Sequence, residues 1–180
     1  MWMWTVSRLG PDVPLTHMLL HWEGPARWIC HRKFATFGAQ AVFRPHAYAI
    51  NTNRIHLGKR VVIRPACMLF AVDEPGGTIT IEDDVLLGSG VHIYVGNHRF
   101  DRGDAPIIDQ GFQEFRPVRI EQGAWVGAGA ILLPGVTIGR NAVVGAGSIV
   151  TRDVPPAMVA VGNPARCHHP TVSNPQDIVT

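Results

Sequence analysis

The sequence is short of most features that announce a function class. Sixteen lysines and arginines face fourteen aspartates and glutamates. So small a basic excess gives no sign of nucleic-acid binding. The three cysteines, Cys30, Cys67 and Cys167, form no CxxC pair, so neither a zinc-binding spacing nor a disulfide framework is implied. No run of eighteen apolar residues is long enough to span a bilayer. The opening Met1-Trp2-Met3-Trp4 lacks the charged and apolar regions of a signal peptide. These absences predict a cytoplasmic protein. The 180 residues fit one domain with flanking segments.

What is present is a meter. Aliphatic residues recur every six positions at Ile120, Val126, Leu132, Ile138, Val144 and Val150. Four positions after each stands a small or β-branched residue: Ala124, Ala130, Val136, Ala142, Ser148 and Val154. Three positions after each stands a residue tolerant of a left-handed backbone: Gly123, Gly129, Gly135, Asn141, Gly147 and Asp153. A helix would show period 3.6 and a plain strand period 2. Period six predicts an all-β solenoid in which three short strands and three corners make a coil of about eighteen residues. The aliphatic and small residues point inward, and the third class turns the corners.

The phase extends upstream through Leu57, Ile63, Leu69, Ile81, Leu87 and Ile93, with Pro75 on the beat. Val61, Cys67, Val85 and Val91 take the small inward position, and Asp84 and Gly90 the corners. A weaker first coil begins at Phe37 and Phe43 and slips by two residues near Asn51–Ile55. About five coils are predicted, within a solenoid domain of residues 37–166. Residues 1–36 are read as a helical cap, with pieces Pro14–Glu23 and Ala26–Phe34 broken by Gly24 and Pro25. A cap would protect the open end of the solenoid. The second piece, with Arg27, His31, Arg32 and Lys33 beside Trp28, also fits a basic helix in peripheral contact with a membrane. Residues 167–180 lack periodicity and are read as a loose tail.

The meter breaks once in a way that is not a multiple of six, between Ile93 and Ile120. A loop of residues 95–117 must leave the solenoid there, and such long loops are commonly functional. It carries Asn97 and His98, then Asp101, Asp104 and Asp109, with Phe100, Phe112 and Phe115 available to pin it.

The stretches IEDDVLLGSGVHIYVGNHR (81–99), GAWVGAGAILLPGVTIG, VVGAGSIVTRDVPP and VGNPAR resemble the hexapeptide-repeat acyltransferases. That family includes the maltose, galactoside and exopolysaccharide O-acetyltransferases. The resemblance covers roughly residues 37–169. It implies a left-handed parallel β-helix, although ordinary parallel crossovers are right-handed. It also implies acetyl-CoA as co-substrate, no metal, and a homotrimer with active sites between subunits. His98 matches the family's general base, a role that suits an imidazole titrating near neutrality. Arg99 stands where the family often has proline. Asp101 or Asp104 would orient the imidazole. Asn97 would hold the acceptor or brace the loop. For the cofactor, Trp125 matches the residue packed on the pantetheine arm, and Ala128 and Ala146 match small positions beside the pantetheine amides. Thr151, Arg152 and Arg166 match a polar, basic set near the nucleotide, where arginine can fork onto phosphate. The acceptor residues of the maltose and galactoside enzymes do not align cleanly, and Asp73 and Glu74 become candidate acceptor contacts.

The expected activity is therefore transfer of acetyl from acetyl-CoA to a sugar or glycan hydroxyl, in a surface-polysaccharide or lipopolysaccharide precursor. The reaction would run in the cytoplasm, including the inner face of the membrane. Three alternatives stand beside it. One is N-acetylation of a nucleotide-linked amino sugar. Another is a γ-type carbonic anhydrase using His56, His92 and His98. That family's close histidine pair lies five apart, whereas His92 and His98 are six apart. The last is a non-catalytic solenoid.

Overall fold

The computed structural model describes residues 23–171. Helix α1 (Glu23–Lys33) leads into seventeen short strands, the first sixteen wound as a parallel solenoid and the last returning antiparallel. Three sheets form its faces. Strands β1 (Thr36–Phe37), β4 (Ile55–Leu57), β7 (Ile79–Ile81), β10 (Val118–Ile120) and β13 (Thr137–Ile138) make the first. The second holds β2 (Val42–Phe43), β5 (Val62–Ile63), β8 (Leu86–Leu87), β11 (Trp125–Val126), β14 (Val143–Val144), β16 (Met158–Gly162) and β17 (Ala165–Pro170). The third holds β3 (Tyr48–Ile50), β6 (Met68–Phe70), β9 (His92–Tyr94), β12 (Ile131–Leu132) and β15 (Ile149–Val150).

The meter maps directly onto this architecture. Arg119 pairs with Thr137, Trp125 with Val143 and Ile131 with Ile149, each partner eighteen residues on. Ile120, Val126, Leu132, Ile138 and Val144 are fully buried, and Ala124, Ala130 and Ala142 fill the corners of the same column. Ser148 is buried among them, and its hydroxyl accepts a hydrogen bond from the Gly162 N–H at 3.0 Å. Cys67 is buried on its inward beat. Asn141 takes a left-handed φ of 54° as the corner reading requires. Asp153 does not adopt positive φ; its carboxylate instead accepts the Thr137 N–H at 2.7 Å.

The register also exposes what the meter hid. From β4 to β7, Ile55 pairs with Ile79, a step of twenty-four residues. Pro75 is therefore not on a face. It belongs to a turn between β6 and β7 that adds six residues and so leaves the phase untouched.

The termini differ from expectation in two places. α1 is continuous through Gly24 and Pro25, because proline in a first turn forfeits no helical hydrogen bond. The earlier piece, residues 14–22, lies outside the described residues. α1 sits on the first coil through the buried Cys30 and Phe34, with the Phe34 ring 5.7 Å from Phe37 and 5.4 Å from Phe43. Trp28 and Ile29 stay exposed, and the Arg32 guanidinium lies 4.4 Å over the indole. Residues 167–170, read as loose tail, belong instead to β17, which pairs antiparallel with β16. Their pairing is with a neighbouring hairpin strand, so it leaves no hexapeptide trace. Residues 172–180 lie outside the described residues.

Candidate active site

Three successive coils bulge at one edge, where the third sheet hands over to the first. The Leu132-to-Val136 turn shows the regular corner. Against it, residues 51–54 add two residues, 71–78 add six and 95–117 add twenty-one. Stacking puts these insertions on top of one another, and cross-links tie them together. The Asn51 side-chain amide donates to the Ala71 carbonyl at 2.9 Å, and Arg54 donates to the Glu74 carbonyl at 2.7 Å. A Cβ on Gly76, whose φ is +81°, would lie 2.1 Å from the Phe115 carbonyl oxygen. The second and third insertions thus touch backbone to backbone.

The long insertion is an ordered two-limbed loop. Gln113 N–H donates to the Asn97 carbonyl at 2.9 Å, Arg99 N–H to Gly111 at 2.9 Å, and Arg116 N–H to Val95 at 2.8 Å. His98 and Phe112 face each other across the limbs as a β-bridge. Their rings stack at 4.4 Å, and Phe112 meets Phe115 at 5.6 Å. The Phe115 ring lies where a Cβ on Gly96 would fall, 2.4 Å from Cδ1. Phe112 and Phe115 therefore pin the loop, whereas Phe100 stands in solvent.

Between the insertions runs a cleft of about 500 Å³. Ile50 and Phe70 line it from the ends of β3 and β6, Asn51 from the first insertion, Val72 from the second, and Asn97 and His98 from the third. His98 is exposed at this cleft. The Asn97 carbonyl braces the loop while its side chain, bonded to no described residue, faces the cleft. The carboxylates expected to orient His98 are elsewhere. Asp101 receives Arg99 at 2.9 and 3.2 Å, and Asp104 receives Arg102 at 2.7 and 3.0 Å. These guanidinium hydrogen bonds hold both carboxyls below their ordinary range. Asp73 is also outside the lining; its neighbour Val72 reaches the cleft, and its own carboxylate lies 3.5 Å from Arg54.

The residues expected to hold the cofactor are spread over several parts of the prism. Trp125 projects, half exposed, from the second sheet. Ala128 and Ala146 stack at the next edge, between the second and third sheets, where Gly147 N–H donates to the Ala128 carbonyl at 2.8 Å. A Cβ on Gly127 would sit 2.5 Å from the Ala146 nitrogen, so glycine is what lets these corners nest. The N–H groups of Ala128 and Ala146 donate to no described acceptor. Thr151 and Arg152 leave β15 at the His98 edge, and Arg166 lies on β17. One chain therefore does not bring His98 and Trp125 together; a whole face separates them.

The histidines of the zinc alternative are dispersed as well. His56 lies on the first sheet near the Thr36 hydroxyl at 3.5 Å, and the His92 ring bonds the Tyr94 hydroxyl at 3.0 Å. Among the described residues no group of three or more metal-ligating side chains gathers, and no helix is long and apolar enough to cross a membrane.

Comparison with known proteins agrees with this fold. The bacterial transferase hexapeptide (six repeats) family model matches residues 117–152. Nodulation protein L of Rhizobium meliloti is 43% identical over 160 residues, covering 89% of this chain and 78% of its own. Galactoside O-acetyltransferase of Escherichia coli is 38% identical over 133 residues, covering 74% of this chain and 62% of its own, so this chain spans less than two thirds of that relative. A hexapeptide-repeat acetyltransferase of Vibrio cholerae, solved in complex with acetyl coenzyme A, superposes with a TM-score of 0.75 at 27% identity, covering 88% of this chain and 84% of its own. The chain belongs to the hexapeptide-repeat acetyltransferases, whose co-substrate is acetyl-CoA, and its solenoid is a left-handed parallel β-helix of about five turns.

Proposed function

We propose that this chain transfers acetyl from acetyl-CoA to a sugar hydroxyl, with His98 as general base. The observation that carries the reading is the stack of three insertions that presents His98 to a cleft on a fold shared with acetyl-CoA users. A ring nitrogen of His98 takes the proton of the acceptor hydroxyl as its oxygen attacks the thioester carbonyl. The tetrahedral intermediate collapses, the C–S bond breaks, and the CoA thiolate recovers the proton from the imidazolium. The products are an acetyl ester and free CoA. Such a base contributes about 10²–10⁴ in rate. The unpaired Ala128 and Ala146 N–H groups suit the pantetheine amides, Trp125 the arm itself, and Thr151, Arg152 and Arg166 the nucleotide end. Asn97 contacts the acceptor.

The reading calls for a homotrimer. His98 and the Ala128–Ala146 edge lie a face apart, so a thioester on one subunit meets the imidazole of another. The outer surfaces suit that arrangement. On the first sheet the outward row is Thr36, His56, Thr80, Arg119 and Thr137. The second sheet presents Val42, Val62, Leu86, Trp125 and Val143, and the third presents Met68, Ile131 and Ile149 beside His92. Two apolar faces and one polar face fit a head-to-tail interface that closes into a ring. All three cysteines are free thiols, in keeping with a reducing cytoplasm.

The test is incubation with radiolabelled acetyl-CoA and a panel of sugars. The expected product loses its label to hydroxylamine, as an ester does. A hydroxylamine-stable product would mean amide formation, and no product with any acceptor would leave a non-catalytic solenoid.

A further inference from the structure

The solenoid is electrically lopsided along its axis. Residues 24–72, which make up nearly all of α1 and the first two coils, hold eight of the sixteen lysines and arginines and none of the fourteen carboxylates. Residues 73–171 hold seven arginines against eleven carboxylates. Two of the eight cations turn towards the following coils, where Arg54 lies 3.5 Å from Asp73 and Arg60 lies 2.5 Å from Asp84. On α1, Arg27, Arg32 and Lys33 are exposed and pair with no described carboxylate.

Cations alone would suit any polyanion, but apolar features share this end. Trp28 and Ile29 of α1 are 59% and 47% exposed, and Tyr48 of β3 is 54% exposed. Between α1 and the first coil opens an apolar cavity of about 480 Å³. Ile29, Phe43, Ala47 and Ala49 stand in its walls, joined by Lys33 and Arg44. Such a mixture matches the boundary layer of a bilayer. Tryptophan, tyrosine and aliphatic groups settle at the edge of the acyl chains, while lysine and arginine stems lie along them and deliver their charge to phosphate. A nucleic acid would use the cations and leave an aliphatic cavity empty.

We propose that the α1 end of the solenoid docks on a bilayer bearing anionic phospholipid. Trp28, Ile29 and the cavity take the apolar boundary, and Arg27, Arg32 and Lys33 take the headgroup phosphates. The lopsided charge turns this end towards the membrane before contact. The site lies on α1 and the first coil, apart from the His98 cleft, and does not depend on the acetyltransferase reading.

The experiment is co-sedimentation of the full chain with vesicles of phosphatidylcholine alone or with about 30% phosphatidylserine, which gives a negative surface potential. The wild-type protein should prefer the anionic vesicles. Each basic residue near such a surface favours binding by about fivefold. The triple variant Arg27→Gln, Arg32→Gln, Lys33→Gln should therefore bind about a hundredfold more weakly. Raising salt from about 0.1 to about 0.5 M shortens the screening length and should release most of the wild-type protein. The double variant Trp28→Ser, Ile29→Ser should lose the salt-resistant remainder. Equal binding to both vesicles by the wild-type protein, or none to either, overturns the proposal without recourse to the variants. Binding that either variant leaves unaltered also overturns it, by putting the contact elsewhere. So does tighter binding to heparin than to the anionic vesicles, which would make this end a site for a soluble polyanion.

Discussion

Gly76→Ala gives a graded test of how the insertions hold His98. Its φ of +81° is a region L-residues avoid, at a cost of about 1–2 kcal/mol. Its new Cβ would also meet the Phe115 carbonyl at 2.1 Å, so turn and loop must part by roughly 1 Å or more to restore ordinary contact. The turn is stiff, tied by Val72 N–H to Gly77 and by Asn51 and Arg54 from below. The loop therefore yields and carries Phe115, Phe112 and His98 with it. The total should reach about 2–3 kcal/mol, lowering Tm by roughly 4–12 °C for a protein of this size. A displacement near 1 Å at the base can lower turnover about a hundredfold. Two glycines serve as controls. Gly111, at φ +77°, and Gly103 both have open space around a new Cβ. Gly111→Ala then reports the backbone cost alone, and Gly103→Ala should be silent. Differential scanning calorimetry and the CoA-release assay read all three. If Gly76→Ala is no worse than Gly111→Ala in both, the insertions do not brace one another as described.

Other expectations follow from the same structure. Leu132→Ala, at a fully buried position, should cost about 2–5 kcal/mol in urea unfolding; a loss under 1 kcal/mol would mean a column that collapses around the gap. Arg152 donates to no described acceptor, so Arg152→Ala should weaken CoA more than dephospho-CoA in calorimetry. Equal losses would take it off the 3′-phosphate. Asp101 and Asp104 titrate below their ordinary value because Arg99 and Arg102 hydrogen-bond their charged forms. Lowered folded-state values mean that this support is complete above the ordinary carboxylate range and disappears as pH falls through the folded values. Loop amide order by NMR relaxation should thus be constant from pH 7 to about 5 and fall below about 4, and the Asp101→Asn, Asp104→Asn double variant should lose that dependence.

The coil was legible because inward positions admit few residue types, so the same choices recur at Ile120, Val126 and Leu132. The twenty-one extra residues before Val118 broke the phase and were visible for that reason. The six at 71–78 preserved it; the cluster Pro75-Gly76-Gly77 was the available turn signal. Left-handed corners at Arg60 and Ala66 had no compositional mark, since the coil geometry there overrides residue preference. Asp101 and Asp104 looked suited to orienting His98, but sequence cannot show that an arginine two residues away on an exposed turn captures each carboxylate. That His98 and Trp125 lie a face apart follows from counting strands between them, yet neither residue type signals it.

The most direct measurement pairs two readouts on His98→Ala: acetyl-CoA affinity by calorimetry and turnover by CoA release. Kd should be unchanged while turnover falls by about 10²–10⁴. Turnover equal to that of the wild-type protein would contradict it.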